Sequence, residues 1–285
     1  MKNYTTKNFK PSVKIKSLVI FLFTFSALQC LAQGNLMIFP MRAVFDGREN
    51  VMELNLSNSG MDTARYVISM IEIRMKQDGS FETITLPDEG QNFASKYVRV
   101  FPRSVMLAPK ESQTVKLQLN KASQLAAGEY RSHLYFRAVP NQTALGESTV
   151  NVDSSEISVK LTPVYGLSIP VIVRIGENNT KATLSDPKLV MQDTIPVLSF
   201  QFKREGNMST YGDLKVDYIN DKGKTITVGE VKGIAVYTPN TSRIMKMALP
   251  NQPEVDYKKG RIHISYEAVS TGRKPQVLAE TDLNL

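Results

Sequence analysis

Apolar and polar residues alternate with a period of two along most of this chain. In Val51-Met52-Glu53-Leu54-Asn55-Leu56, the residues Met52, Leu54 and Leu56 share one face, and Glu53 and Asn55 share the other. Thr114 to Leu119 repeats the pattern, with Val115, Leu117 and Leu119 on the apolar side. Such alternation predicts antiparallel strands with one face on a core and the other in water. Turn signals fall between the runs: Asp46-Gly47, Asp78-Gly79, Ala127-Gly128, Asp221-Lys222-Gly223 and Lys259-Gly260. The one segment with helical character, Lys121 to Ala127, is short enough to be a connector. Many short strands at this spacing predict an all-β chain built from sandwiches.

At 285 residues the chain has room for two sandwiches of ~100 residues or somewhat more. The run Leu161 to Val173 contains no charge but includes Pro163, Gly166 and Pro170. It is expected to close one domain and lead into the next, with a boundary near Ser168 and domains over 33–168 and 169–285. A second strand series follows at Pro196 to Phe202, Leu214 to Tyr218, Ile226 to Val231 and Arg261 to Ala268. Ala127-Gly128-Glu129-Tyr130 precedes the alternating Ser132, Leu134 and Phe136. A tyrosine entering a strand after a loop suits the tyrosine corner of immunoglobulin-like domains, although an ordinary strand tyrosine fits the same residues. The antibody-type disulfide is absent. Ser132 stands where its second cysteine would be, and the chain has no tryptophan.

Composition changes the picture chiefly through the first 32 residues. They hold Lys2, Lys7, Lys10, Lys14 and Lys16 with no acid, then the 14-residue apolar run Leu18 to Leu31 and the ending Cys30-Leu31-Ala32-Gln33. This order reads as a secretory signal cut after Ala32. The apolar run is short of the ~20 residues a membrane-spanning helix needs, so no stable span is expected in the mature chain. A retained anchor and lipidation at Cys30 are the alternatives; Gln29 stands where a lipoprotein signal would carry a small residue. Without the leader lysines the formal charge falls from +8 to +3, too little to support nucleic-acid binding. The only cysteine, Cys30, leaves with the leader, which excludes disulfides and thiol chemistry from the mature protein. The expectation is a soluble periplasmic protein.

Candidate chemistry is sparse. No G-x-G-x-x-G, P-loop, H-E-x-x-H or G-x-S-x-G pattern occurs. His133 is expected on a solvated strand face with Arg131, Tyr135 and Arg137, a stripe that could also recognise an anion. His263 alternates with Ile262 and Ile264 far along the chain, so the two histidines are not expected to share a metal. No catalytic residues, cofactor or metal are assigned, and the chain is not expected to be an enzyme.

Three stretches resemble the PapD-like periplasmic chaperones of pilus assembly. Met41-Arg42-Ala43-Val44-Phe45-Asp46-Gly47 is similar to the family's first strand and turn. Val100-Phe101-Pro102-Arg103, then Leu107-Ala108-Pro109-Lys110-Glu111-Ser112-Gln113-Thr114-Val115, resembles its most recognisable run. Glu129 to Pro140 resembles the penultimate strand of its first domain, and Arg204 to Gly212 carries a weaker likeness in the second. The resemblance implies two immunoglobulin-like domains in an L or boomerang with a cleft between them. It also implies a chaperone that lends its own strand to an incomplete pilus or fimbrial subunit, with an outer-membrane usher as a further partner. A subunit lacking a strand exposes unpaired backbone and an apolar groove, and an added strand fills both. Ile157, Val159 and Leu161, alternating with Ser158 and Lys160, suit such a donor strand, though a strand packed on its own core would alternate in the same way.

In the family a basic residue on the first strand and a lysine on the last strand of the first domain bind the subunit's terminal carboxylate. Arg42 matches the first. Aligned on Pro170, the second position holds Tyr165 instead of lysine, and Lys160 is the nearest basic residue on that strand. A guanidinium can grip a carboxylate bidentately without help, and a tyrosine hydroxyl could add a neutral hydrogen bond. Two other function classes compete: an exported structural or adhesive protein of the cell surface, and an exported hydrolase with catalytic groups on separate loops.

Overall fold

The computed structural model describes residues 36–140, 164–269 and 275–285. The signal segment ending at Ala32 and the donor residues Ile157, Val159 and Leu161, with Lys160, lie outside the described residues. The first strands are β1 (Leu36–Phe39), β2 (Ala43–Phe45), β3 (Val51–Asn58), β4 (Ala64–Ile71), β5 (Ile73–Met75) and β6 (Phe81–Thr83). They are followed by β7 (Val98–Phe101), β8 (Ser104–Leu107), β9 (Ser112–Leu119), β10 (Gly128–Val139) and β11 (Gly166–Ile175). The remainder are β12 (Lys181–Gln192), β13 (Ile195–Glu205), β14 (Thr210–Ile219), β15 (Thr225–Val236), β16 (Ser242–Ala248), β17 (Arg261–Ala268) and β18 (Val277–Asn284).

These strands form two sandwiches. In the first, sheet β1-β3-β9-β7 faces sheet β2-β11-β10-β4-β8. Leu54, Leu56, Val115 and Leu117 from one sheet meet Ile68, Leu134, Phe136 and Val171 from the other. In the second, β12-β13-β16 faces β15-β14-β17-β18, with Leu198, Phe200 and Phe202 against Leu214, Val216, Ile264 and Tyr266. The predicted inward residues of β3 and β9 therefore form core, as their alternation requires. The tyrosine corner is present: the Tyr130 hydroxyl donates to the Ala126 carbonyl at 3.2 Å. The helical connector shrinks to a single 3-10 turn, Ala122–Gln124.

The opening of the chain changes sheets. β1 pairs antiparallel with β3, and after Pro40 the chain crosses so that β2 pairs parallel with β11. That crossing sets Arg42 at the start of β2, beside the last strand of the same sheet.

The structure departs from two expectations. Ser168 lies inside β11, which pairs with β10 along its whole length, so the chain changes domain between Ile175 and Lys181. Part of the charge-free run has a different cause: from Ile169 to Val173 β11 is covered on both faces, whereas Val164 to Ser168 is exposed. Ile169, Val171 and Val173 enter the first core, while Ile172 packs against Ala235 and Tyr237 of the second domain. A strand covered on both sides reads as a nearly continuous apolar run. The stripe on β10 is likewise not solvated at its near end, since Arg131 is 2% and His133 3% exposed; Arg137, further along, is exposed. The second domain covers what the sequence presents as an open strand face. No helix among the described residues is long and apolar enough to cross a membrane.

Candidate functional site

The cleft is floored by three adjacent strands. The register sets Ala43 beside Val171 and His133 beside Pro170, so Arg42, Pro170 and His133 lie in one row across β2, β11 and β10, with Arg131 and Ile172 in the next. Tyr211 on β14, Ala235 on β15 and Tyr237 just beyond it come from the second domain. The β5–β6 hairpin closes one side: Asn240 Nδ2 donates to the Met75 carbonyl at 2.7 Å, and Ile244 N–H to the Gln77 carbonyl at 2.6 Å.

Three guanidiniums converge on this cleft. Arg42 Nη1 donates to the Tyr237 hydroxyl at 3.0 Å, and its guanidinium carbon sits 4.2 Å from the Tyr211 ring centre. The Arg131 guanidinium lies 4.5 Å from the Tyr237 ring centre. Arg243 Nη1 donates to the Ala235 carbonyl at 2.8 Å. Among the described residues the arginines in ion pairs are Arg48, Arg74, Arg174 and Arg261, and none of the three cleft arginines joins them. The Nε atoms of Arg131 and Arg243 are buried without a hydrogen-bond partner. Burying a cation without a directly paired anion is costly. Cation–π contact, together with the more distant fields of Glu129 and Glu72 on Arg131 and of Asp78 on Arg243, recovers only part of the lost hydration. Burial accordingly pulls both guanidiniums below their ordinary pKa. His133 is driven down to about 3 by burial, then by the fields of Arg131 and Arg42, so its ring is neutral at pH 7. The arrangement is a cluster of cations lined with aromatic rings, with Arg131 buried and Arg42 and Arg243 partly exposed, a chemistry that suits an anionic group.

A buried latch joins the two domains beside this cluster. The Glu129 carboxylate, fully buried, accepts from Arg174 Nε at 3.1 Å, from Ser209 N–H at 3.0 Å, from the Ser209 hydroxyl and from Thr238 Oγ1 at 3.3 Å. Arg174 Nη2 also donates to the Ser209 carbonyl at 2.8 Å. Arg204 holds the loop that presents Ser209, donating from Nη1 to the carbonyls of Gly206 at 2.7 Å and Met208 at 3.0 Å. Gly206 has a φ of +94°, and a Cβ there would meet Thr180 Cα at 2.7 Å, so the turn requires glycine.

Of the residues expected at the anchor, Arg42 lies in the cleft and Tyr165 does not join it. Tyr165 is 62% exposed, and its carbonyl accepts from Ala138 N–H at 2.9 Å. Because Arg42 lies beside Pro170, Tyr165 is five positions away along the strand, about 16 Å at ~3.3 Å per residue. Lys160 lies outside the described residues. Sequence reasoning did not single out Tyr237, Arg243 or the Glu129–Arg174 pair. Arg131 was visible as part of a charged stripe, but the surface that covers it lies some 80 residues or more further along the chain.

No protein-family model matches this chain, and no curated protein matches it. Solved structures do. The YadV chaperone is 13% identical over 88% of this chain and 99% of its own, with a TM-score of 0.44. The Pseudomonas aeruginosa CupB2 chaperone is 14% identical over 87% and 100%, with a TM-score of 0.43. A chain from the Salmonella enterica SafA pilin in complex with the SafB chaperone is 12% identical over 89% and 98%, with a TM-score of 0.41.

Proposed function

We propose that this chain is a periplasmic chaperone that binds and stabilises pilus- or fimbrial-type subunits by donating a strand, and that it is not an enzyme. The observation that supports this reading most is the cleft itself. Arg42, Arg131 and Arg243 surround Tyr237 with no carboxylate of the chain paired to them among the described residues. A terminal carboxylate entering there would meet cations already stripped of water, which strengthens each charge-assisted bond. Arg42 is the anchor in this reading. Ile157, Val159 and Leu161 supply the donor strand, whose backbone pairs with the client while alternate side chains fill its groove.

The test is affinity purification of the tagged chain from periplasm, followed by mass spectrometry and truncation of any captured protein. The reading expects an exported β-rich subunit whose capture is lost when its last residues are removed. Recovery of the chain alone, or capture indifferent to the partner's C-terminus, contradicts it.

A further inference from the structure

Beside Tyr237 opens a cavity of about 220 Å³ lined by Met75, Phe81, His133, Pro170, Tyr237 and Arg243 among others. Three of its rings group together in tilted or edge-on pairs, with centroids 5.7 Å apart for Phe81–His133 and 6.3 Å for both Phe81–Tyr237 and His133–Tyr237. Rings attract over roughly 4.5–7 Å, so a further ring fits this group. An apolar cavity of ~150 Å³ accommodates benzene, so a volume of this size has room for a six-membered ring and a carboxyl group. The cavity is not wholly apolar. Arg243 enters from β16 of the second domain, and the neighbouring acid whose field reaches it, Asp78, accepts from both the N–H and the hydroxyl of Ser80. Arg42 approaches from the first domain and meets the same wall at the Tyr237 hydroxyl.

We infer that this cavity takes the terminal side chain of a client ending in an aromatic or large apolar residue, and that Arg243 joins Arg42 in holding the carboxylate. The inference rests on the anchor reading above and adds two things: a preference for the client's last residue, and a second cation supplied by the other domain.

The experiment is an NMR titration of the ¹⁵N-labelled exported chain with N-acetyl-L-phenylalanine, its carboxamide, N-acetylglycine and inorganic phosphate at pH 7. N-acetyl-L-phenylalanine is expected to bind at least tenfold more tightly than each of the others, with shifts at residues lining the cavity. Arg243→Gln is expected to weaken it at least tenfold. Phe81 is 50% exposed on the rim, so Phe81→Ala should keep the fold and remove the preference for the phenylalanine derivative over the glycine one. Loss of binding in Arg42→Ala but not in Arg243→Gln or Phe81→Ala overturns this inference and leaves the anchor intact. Equal binding of acid and amide overturns both. Phosphate binding as tightly as N-acetyl-L-phenylalanine, or no saturable shift with that probe, overturns the cavity assignment, while the co-purification test still decides the anchor.

Discussion

Buried and flanked by Arg131 and Arg42, His133 resists protonation in the folded chain down to about pH 3. An unfolded histidine takes up its proton near 6.5. Between those values the unfolded state binds more protons, so stability rises with pH and falls as acid is added. A single such group contributes at most ~1.4 kcal/mol per pH unit within that window. Urea titrations at pH 7 and pH 4.5 should therefore show His133→Gln losing less stability than the unmodified chain, by roughly 2 kcal/mol. Equal losses would mean that the ring is not held neutral. Arg131 is the residue whose environment was hardest to foresee. Its alternation marks it as outward, and outward is correct for the sheet, but the outer face is covered by another domain. Period-two reasoning distinguishes the two faces of a strand and is silent about what lies over the second one.

Among the elements, the strands of the first domain were legible because their alternation is the direct imprint of one buried face. Met52, Leu54 and Leu56 on β3 and Val115, Leu117 and Leu119 on β9 were readable for that reason. β11 was legible as a strand but not as the base of the cleft, because burial on two faces from Ile169 to Val173 erases alternation there. The β5–β6 hairpin was visible only through its Asp78-Gly79 turn. Its docking on the second domain uses one backbone bond, from Ile244 N–H to the Gln77 carbonyl, and one from the Asn240 side chain, which no alternation announces. Tyr165 shows the limit of aligning on a single proline: the register of β2 with β11, not distance in sequence, decides which residue meets Arg42. The donor strand carries its own prediction. Val159→Asp should reduce client capture at least tenfold while circular dichroism and the thermal melt stay close to those of the unmodified chain. Loss of the fold would show that Val159 belongs to the chain's own core.

At the scale of the whole molecule, the two sandwiches meet through the Glu129 latch, the apolar contact of Ile172 with Ala235 and Tyr237, and the docked hairpin. Removing one partner of a buried ion pair typically costs ~3–5 kcal/mol, because the other charge and its donors lose their partner. Glu129→Ala should therefore uncouple the domains, turning one calorimetric transition into two; a single transition at an unchanged temperature would show that the latch does not couple them. The same junction forms the seat proposed for the client, so domain orientation and binding are linked through Arg42, Tyr237 and Arg243. The most direct measurement of that claim is the affinity of a captured subunit for the unmodified chain, Arg42→Ala and Arg42→Lys, each beside a thermal melt. A charge-assisted hydrogen bond contributes about 1.5–3 kcal/mol, or roughly one to two decades in affinity. Arg42→Ala is expected to lose that much with little change in melting temperature, and Arg42→Lys to recover only part, since an ammonium keeps the charge but not the planar fork. Unchanged affinity for Arg42→Ala would contradict the account.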